Sequence, residues 1–335
     1  MRRLAEVPPP PAPLRLERPV RVAAVGGGTG LPRVLAGLSG LARGGGPSLD
    51  LAAVVATTDD GGSSGELRRR YGVPSPGDIR NCLVALSAGP GPLATLFQHR
   101  FGGEGALAGH TVGNVVLTAL AQQLGDFGAA VRTAEELHAV RGRVLPATER
   151  CVELVATLDD GRVIRGESAI AAARGKVGRL SIEGPAPAPP AALEALARAD
   201  VVVMGPGSLY SSVIASLLVD GLAEGLAGCH GIRVLVMNLF AQPGETDGYT
   251  AADHVRALER HVGRVVDAVL AHGRPLPARL VESYAAQDSH PVRLDREVLE
   301  SMGVAVAEAD LLAPSSEVAR HDPDRMARAL LELLR

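Results

Sequence analysis

The chain has no tryptophan, and phenylalanine and tyrosine together make up only 2% of its 335 residues. Its core must therefore come from Ala, Val, Leu and Ile, the residues that fill parallel strands covered on both faces by helices. Cysteine is scarce as well. Cys82, Cys151 and Cys229 stand far apart, which argues against a disulfide framework or a thiolate zinc site and fits a reducing compartment. No apolar run approaches the roughly 18 residues of a membrane span, and no signal-like apolar region opens the chain, so a cytoplasmic protein is expected. Neither sign of charge dominates. With 34 basic and 37 acidic residues, nothing marks a nucleic-acid footprint, and the one tight basic run, Arg68-Arg69-Arg70, reads as a solvated helix face.

What is present is a recurring unit: a β-branched apolar run, a glycine-rich polar loop, then helical spacing. Val20 to Val25 leads into Gly26-Gly27-Gly28-Thr29-Gly30 and a helix over Leu31 to Leu41. Leu51 to Ala56 leads into Thr57-Thr58-Asp59-Asp60-Gly61-Gly62-Ser63-Ser64-Gly65. Ser75-Pro76-Gly77-Asp78 suits a helix start, with a capping serine, a first-turn proline and an acid at the positive end. Helices are predicted over Val112 to Leu124 and Phe127 to Val140. Val201 to Met204 leads into Gly205-Pro206-Gly207-Ser208 and a helix over Ser211 to Leu218. Arg233 to Met237 is a strand ending in Asn238, Tyr249 to His261 a helix, Val265 to Leu270 a strand, and Asp322 to Arg335 an amphipathic helix.

Between these units the texture changes. Cys151 to Leu158, Asp160-Gly161 and Val163 to Ala169 read as a hairpin on a primed turn, with Lys176 to Ile182 beside it. The whole predicts an α/β fold: a doubly wound, mostly parallel, Rossmann-like sheet with helices on both faces and a small antiparallel β insertion over 144–184. Residues 1–19, with prolines at 8–11 and 13, are expected to be an extended tail, leaving 20–335 as the α/β domain.

In open α/β sheets, ligands bind beyond the carboxyl ends of the strands, where strand order reverses. Glycine loops at strand ends therefore carry the functional reading. Gly27, Gly28, Thr29 and Gly30 would bring backbone amides close to an anion at a helix N-terminus. The loop is not G-x-G-x-x-G, since Leu31 stands where the third glycine belongs, and it is not a Walker A loop. Gly205, Gly207 and Ser208 repeat the arrangement, with helix capping by Ser208 as the plainer role. Asp59 and Asp60 are adjacent, so in extended chain only one faces the crevice. Asp59, flanked by Ser63 and Ser64, is the candidate magnesium ligand, because phosphate-bound magnesium takes one or two carboxylates. Arg80 can fork onto phosphate and Asn81 can read ribose or base. Asn114, Asn238, Gln242, Asp253 and His110 are further polar candidates, although a lone histidine is more often structural. No zinc-spaced His pair, no G-x-S-x-G elbow and no Cys–His pairing is present. The sequence marks a phosphate-binding cleft more clearly than a reaction.

These segments also occur in the order found in the YvcK/CofD-like family. The glycine loop at Gly26 to Gly30, the Asp59 to Gly65 loop and Pro76-Gly77-Asp78-Ile79-Arg80-Asn81-Cys82-Leu83 come first. Gly109-His110-Thr111-Val112-Gly113-Asn114 and Leu145-Pro146-Ala147-Thr148 follow. Gly205-Pro206-Gly207-Ser208-Leu209-Tyr210-Ser211-Ser212, Gln242-Pro243-Gly244-Glu245-Thr246 and Ala251-Ala252-Asp253-His254-Val255 complete the set. The chain resembles this family over roughly residues 20–270, and specifically its YvcK branch, the gluconeogenesis factors also described as morphogenesis regulators. Ala241 departs from the pattern, which has Thr before Gln242.

The resemblance implies a cytoplasmic, regulatory binder of UDP-sugars such as UDP-N-acetylglucosamine or UDP-glucose. It would act on cell-wall precursor supply and cell shape, with no assigned reaction. A regulated metabolic enzyme and a second copy of the chain are the implied protein partners, and Tyr210 joins the ligand-binding residues through its loop. The other branch implies an enzyme, a magnesium-dependent 2-phospho-L-lactate transferase of deazaflavin coenzyme synthesis. Scarce aromatics weigh against a pocket for a flat ring. An NAD-dependent oxidoreductase is the weakest reading, lacking both the fingerprint glycine and an acid–base pair.

Overall fold

Strands buried on both faces set the architecture. The computed structural model describes residues 18–89, 91–314 and 317–334, so the expected tail lies, apart from Arg18 and Pro19, outside the described residues. Ten strands run in chain order: β1 (Val20–Gly26), β2 (Leu49–Val55), β3 (Arg143–Pro146), β4 (Glu153–Leu158), β5 (Val163–Arg165), β6 (Val177–Glu183), β7 (Val201–Met204), β8 (Ile232–Val236), β9 (Ala268–His272) and β10 (Ala305–Ala309). Seven of them form one sheet in the order β10-β9-β8-β7-β1-β2-β3, with every pairing parallel.

Because side chains alternate between the two faces of a strand, each β-branched run feeds two cores. Val20, Val22 and Ala24 of β1 face one core, with Val201 and Val203 of β7 and Val234 and Val236 of β8. Ala23 and Val25 face the other, with Val202, Met204, Leu235 and Met237. The helices Leu31–Arg43, Gly77–Leu86 and Pro323–Glu332 cover the first face, and Ala251–Val262 covers the second. Helix Leu31–Arg43 packs on helix Pro323–Glu332 at close range: a Cβ on Gly37 would overlap the Pro323 carbonyl, so only glycine fits there. The sheet is thus doubly wound.

The insertion is a three-stranded antiparallel sheet in the order β5-β4-β6. Its boundary differs from the expected 144–184, because β3 is the edge strand of the main sheet, paired with β2. The strand expected to reach Ala169 stops at Arg165. Gly166, at φ 88°, turns the chain, and the helix Glu167–Ala172 follows. Leu154, Ala156, Leu158 and Leu180 of the small sheet merge with the second core, fixing the insertion to the main domain. The helix expected over Ser211 to Leu218 opens as a π-type turn, Leu209–Ile214, before Ala215–Leu217. No helix among the described residues is long and apolar enough to cross a membrane.

Candidate functional site

The chain leaves β1 toward β2 and β3 on one side, and β7 toward β8, β9 and β10 on the other. β1 and β7 are neighbours, so strand order reverses between them. A crevice opens at the carboxyl ends of such a strand pair because the two flanking connections depart in opposite directions. The loops at these two ends are Gly26 to Gly30 and Gly205 to Ser208. They pack tightly: the Gly205 amide donates to the Val25 carbonyl at 3.0 Å, and a Cβ on Gly30 would overlap the Pro206 carbonyl.

A cavity of about 670 Å³ lies over this point, a volume within the usual range for small-molecule sites. Thr29, Gly30, Gly207, Asn238 and Gln242 line it. The 13-residue helix Leu31–Arg43 starts at its wall, and no side chain caps that end. Pro32 carries no N–H and the Arg33 amide donates to the Gly30 carbonyl at 3.0 Å, so the partial positive charge at this wall comes from the helix dipole. Three arginines add to it, Arg33, Arg174 and Arg320, against one lining carboxylate, Asp288. Burial, then the neighbouring Arg320, lowers the Arg33 pKa below its ordinary value, so positive charge is crowded on this wall. Arg174 and Asp288 face each other at 3.9 Å, both exposed and both at positive φ, 43° and 58°. Such backbone is uncommon outside glycine and clusters at functional sites. Tyr284, stacked on Phe240 with ring centres 4.2 Å apart, supplies a flat wall. His321 closes the site; burial pushes its pKa down to about 4, and the neutral ring donates from Nε2 to the Met237 carbonyl at 3.0 Å.

A second polar assembly lies beside β2. Asp59 Oδ1 accepts from the Gly61 amide at 2.9 Å, and Oδ2 faces the Ser75 hydroxyl at 3.4 Å. Asp60 turns the other way and accepts from the Ser168 amide at 2.9 Å, capping the helix of the insertion. Asp78 accepts from the Gly28 amide at 2.7 Å, and burial pushes its pKa up to about 6. Glu167 is raised to about 7 by burial, with Asp59, Asp60 and Glu245 adding to the shift. Among the described residues no three His, Cys, Asp or Glu side chains are grouped to hold a metal ion.

Arg80 organises the remainder. Its guanidinium donates to Asn114 Oδ1 and Asn81 Oδ1, each at 2.8 Å, and to the Thr111 hydroxyl. This orients the Asn114 amide so that Nδ2 donates to Ser63 Oγ at 3.1 Å and reaches Ser64 Oγ at 3.5 Å. The single Ser63 proton is then directed at His110 Nδ1, 3.0 Å away, leaving Nε2–H toward Glu66 Oε2 at 3.3 Å. A relay of hydrogen bonds thereby ties the Asp59 loop to the helices Gly77–Leu86 and Val112–Leu124.

The residues singled out from sequence thus divide. Thr29, Gly30, Gly207, Asn238 and Gln242 line the cavity, whereas Ser63, Ser64, Arg80, Asn81 and Asn114 form the relay. Arg80, assigned the phosphate charge from sequence, is 7% exposed and engaged in the relay; the arginines of the cavity are Arg33, Arg174 and Arg320. Two amides expected for phosphate already have partners, Gly28 with Asp78 and Gly207 with Asn238 Oδ1 at 3.1 Å. Gly27 packs against Asp78. Ser208 caps the turn after β7 by accepting from the Ser211 amide, and donates to Glu245 at 2.5 Å. Tyr210 is fully buried, its hydroxyl 3.2 Å from the Val177 carbonyl and 2.8 Å from the Tyr249 hydroxyl, so it packs the core and does not line the cavity. Asp253 completes a capping box with Thr250. Of the cavity residues missed, Arg33 had a legible signal, three positions after Gly30 in the first helical turn. Arg174, Tyr284 and Arg320 had none, because only folding brings them to β1.

The family model described as 2-phospho-L-lactate transferase CofD matches residues 22–312. The chain belongs to the CofD/YvcK family. Within the family it is 40% identical over 314 residues to a Halalkalibacterium halodurans protein named gluconeogenesis factor, covering 93% of this chain and 95% of that one. It is 39% identical over 317 residues to the Bacillus subtilis gluconeogenesis factor, covering 94% and 98%. The crystal structure of a Bacillus halodurans protein superposes with a TM-score of 0.89 at 38% identity, over 94% of this chain and all of that one.

Proposed function

We propose that the protein is a YvcK-type binder of nucleotide-sugars, of the UDP-N-acetylglucosamine or UDP-glucose class, held in the cavity at the β1–β7 switch point. The observation that carries this reading is the uncapped N-terminus of helix Leu31–Arg43 opening on a cavity with three arginines and one carboxylate. A diphosphate brings two negative charges and several acceptors, which this wall complements through the helix dipole, the Thr29 hydroxyl and guanidinium forks. Tyr284 offers a face on which a base can stack, and Asn238 and Gln242 offer donors and acceptors for base or ribose. The bound form is read by a regulated metabolic enzyme, which links it to cell-wall precursor supply and cell shape.

The second reading, a magnesium-dependent phospholactyl transferase, is favoured by the description of the family model. Asp59 with Asp78 nearby matches the one or two carboxylates that phosphate-bound magnesium takes. No larger ligand group is available among the described residues.

Thermal shift with UDP-N-acetylglucosamine, UDP-glucose, GDP, NAD and a deazaflavin, each with and without magnesium, separates these readings. The binder predicts shifts with UDP-sugars that magnesium leaves nearly unchanged. Arg33→Ala should weaken that binding about 10- to 100-fold, since a hydrogen bond to a charged group contributes about 1.5–3 kcal/mol. Shifts confined to GDP and deazaflavin, and dependent on magnesium, establish the transferase instead.

A further inference from the structure

The relay beside the Asp59 loop holds a serine, a histidine and a carboxylate in series. Ser63 Oγ stands 3.0 Å from His110 Nδ1, and His110 Nε2 stands 3.3 Å from Glu66 Oε2. Asn114 Nδ2 donates to Ser63 Oγ at 3.1 Å, so the serine's own proton is directed at the imidazole. His110 thereby accepts from Ser63 and donates to Glu66, which holds that tautomer. A nucleophile, its base and a group that orients the base are the parts of an activated serine, recognised by roles and distances rather than by chain order.

The backbone around Ser63 fits the same role. Gly61-Gly62-Ser63-Ser64-Gly65 has the G-x-S-x-G spacing, a correction to the sequence reading, which found no such elbow. Gly62, at φ 46°, turns the chain from the loop after β2 into the helix Gly62–Tyr71, and a Cβ on Gly65 would overlap the Asp60 carbonyl. The glycines thus let the helix start press against the loop, with Ser63 in its first turn. No side chain caps this end, and the Gly62, Ser63 and Ser64 amides have no acceptor among the described residues. In serine hydrolases with this spacing the amide after the nucleophile holds the oxyanion, and here that amide belongs to Ser64. The turn lies at the surface: Gly62 is exposed, a Cβ placed on it meets nothing within 4 Å, and Ser63 is 8% exposed. So narrow an opening admits a short acyl group. The carboxylates of Asp59, Asp60 and Glu66 around it repel a phosphate ester and leave a neutral carboxylic ester as the substrate.

We propose that Ser63 and His110, positioned by Glu66, hydrolyse short-chain carboxylic esters. Ser63 Oγ attacks the ester carbonyl carbon while its proton passes to His110 Nδ1. The tetrahedral oxyanion is met by the helix-start amides. Collapse breaks the bond to the alcohol oxygen, which takes the proton from Nδ1 and leaves as alcohol. Water then attacks the acyl-serine, gives its proton to the same nitrogen, and the acid departs as Oγ regains that proton. Ser63 does not line the cavity at the β1–β7 switch point, so the proposal is independent of nucleotide-sugar binding there.

The full chain is treated with diisopropyl fluorophosphate and digested for mass spectrometry, and hydrolysis of p-nitrophenyl acetate is followed in parallel. Label is expected on the peptide carrying Ser63 alone, with the esterase rate falling in proportion. Ser63→Ala should abolish both, and His110→Gln should slow both about 100-fold or more, with the melting temperature of each variant measured beside it. Glu66 is partly exposed and gives a gentler change. Glu66→Gln should lower kcat at least about tenfold with KM unchanged, a split that lost folding does not produce. The proposal is overturned by absence of label at Ser63 under conditions that fully label a serine protease. Ser63→Ala retaining the esterase rate overturns it as well, as do wild-type labelling in His110→Gln and wild-type kcat in Glu66→Gln.

Discussion

Replacing Asp78 with Asn should stabilise the protein at neutral pH and remove part of its pH dependence. Asp78 is buried at the floor of the glycine loop, where Oδ2 accepts from the Gly28 amide at 2.7 Å. An Asn carbonyl preserves that bond. Burial is the main cause that lifts the carboxyl from 3.8 to about 6, and nearby Asp59 adds to it. The folded chain therefore holds this proton more tightly than the unfolded chain between about pH 4 and 6. Where the native state binds more protons, stability falls as pH rises. This penalty is absent below the unfolded value and complete above the folded one. A shift of about two units corresponds to roughly 3 kcal/mol at neutral pH, at about 1.4 kcal/mol per unit. With an unfolding entropy of roughly 2.1 cal/mol/K per residue, that is about 4 °C in melting temperature.

Melts of both proteins from pH 3.5 to 7.5 give the test. Glu167 and Glu245 are also raised and titrate in both, so the difference curve isolates Asp78. It should be near zero at the acid end and open in favour of Asn across pH 4 to 6. Parallel curves, or a variant less stable at pH 7, would refute the reasoning and show that the ionised carboxylate is compensated in place.

Two further changes separate packing from ligand contact. Gly30→Ala puts a methyl into the Pro206 carbonyl, a backbone atom that cannot move aside. It should cost at least about 2 kcal/mol by overpacking, and a denaturation midpoint equal to wild type would show that the β1 and β7 loops separate freely. Arg80→Ala leaves Asn114 Oδ1 unmatched in a buried relay and should cost about 1–3 kcal/mol. UDP-sugar affinity of the folded fraction, measured by titration, should stay within a few-fold of wild type. A large affinity loss without destabilisation would return Arg80 to the ligand.

Much was decided by sequence alone, because it depends on local chemistry. Continuous β-branched apolar runs, several followed by a glycine loop and then helical spacing, are enough for a doubly wound parallel sheet. They also put the Gly26 to Gly30 and Gly205 to Ser208 loops at strand ends. Asp59 and Asp60, in the loop after β2, turn to different partners, as adjacent residues of extended chain were expected to do. The order of motifs carried the family.

Tertiary structure decided which polar residues share a space. Arg80 and Asn114 are 34 positions apart, and their hydrogen bond exists only because two helices pack together. That packing makes a buried relay of residues that read in sequence as ligands. Arg33, Arg174, Tyr284 and Arg320 meet at one cavity because β1, the insertion and the C-terminal segment converge at the carboxyl edge of the sheet. β3 left the insertion for the main sheet because pairing with β2 places Val144 in the core, on the same face as Leu51 and Ala53. Local pattern fixes what each segment can be, whereas long-range packing fixes which faces meet, and a binding site consists of faces that meet.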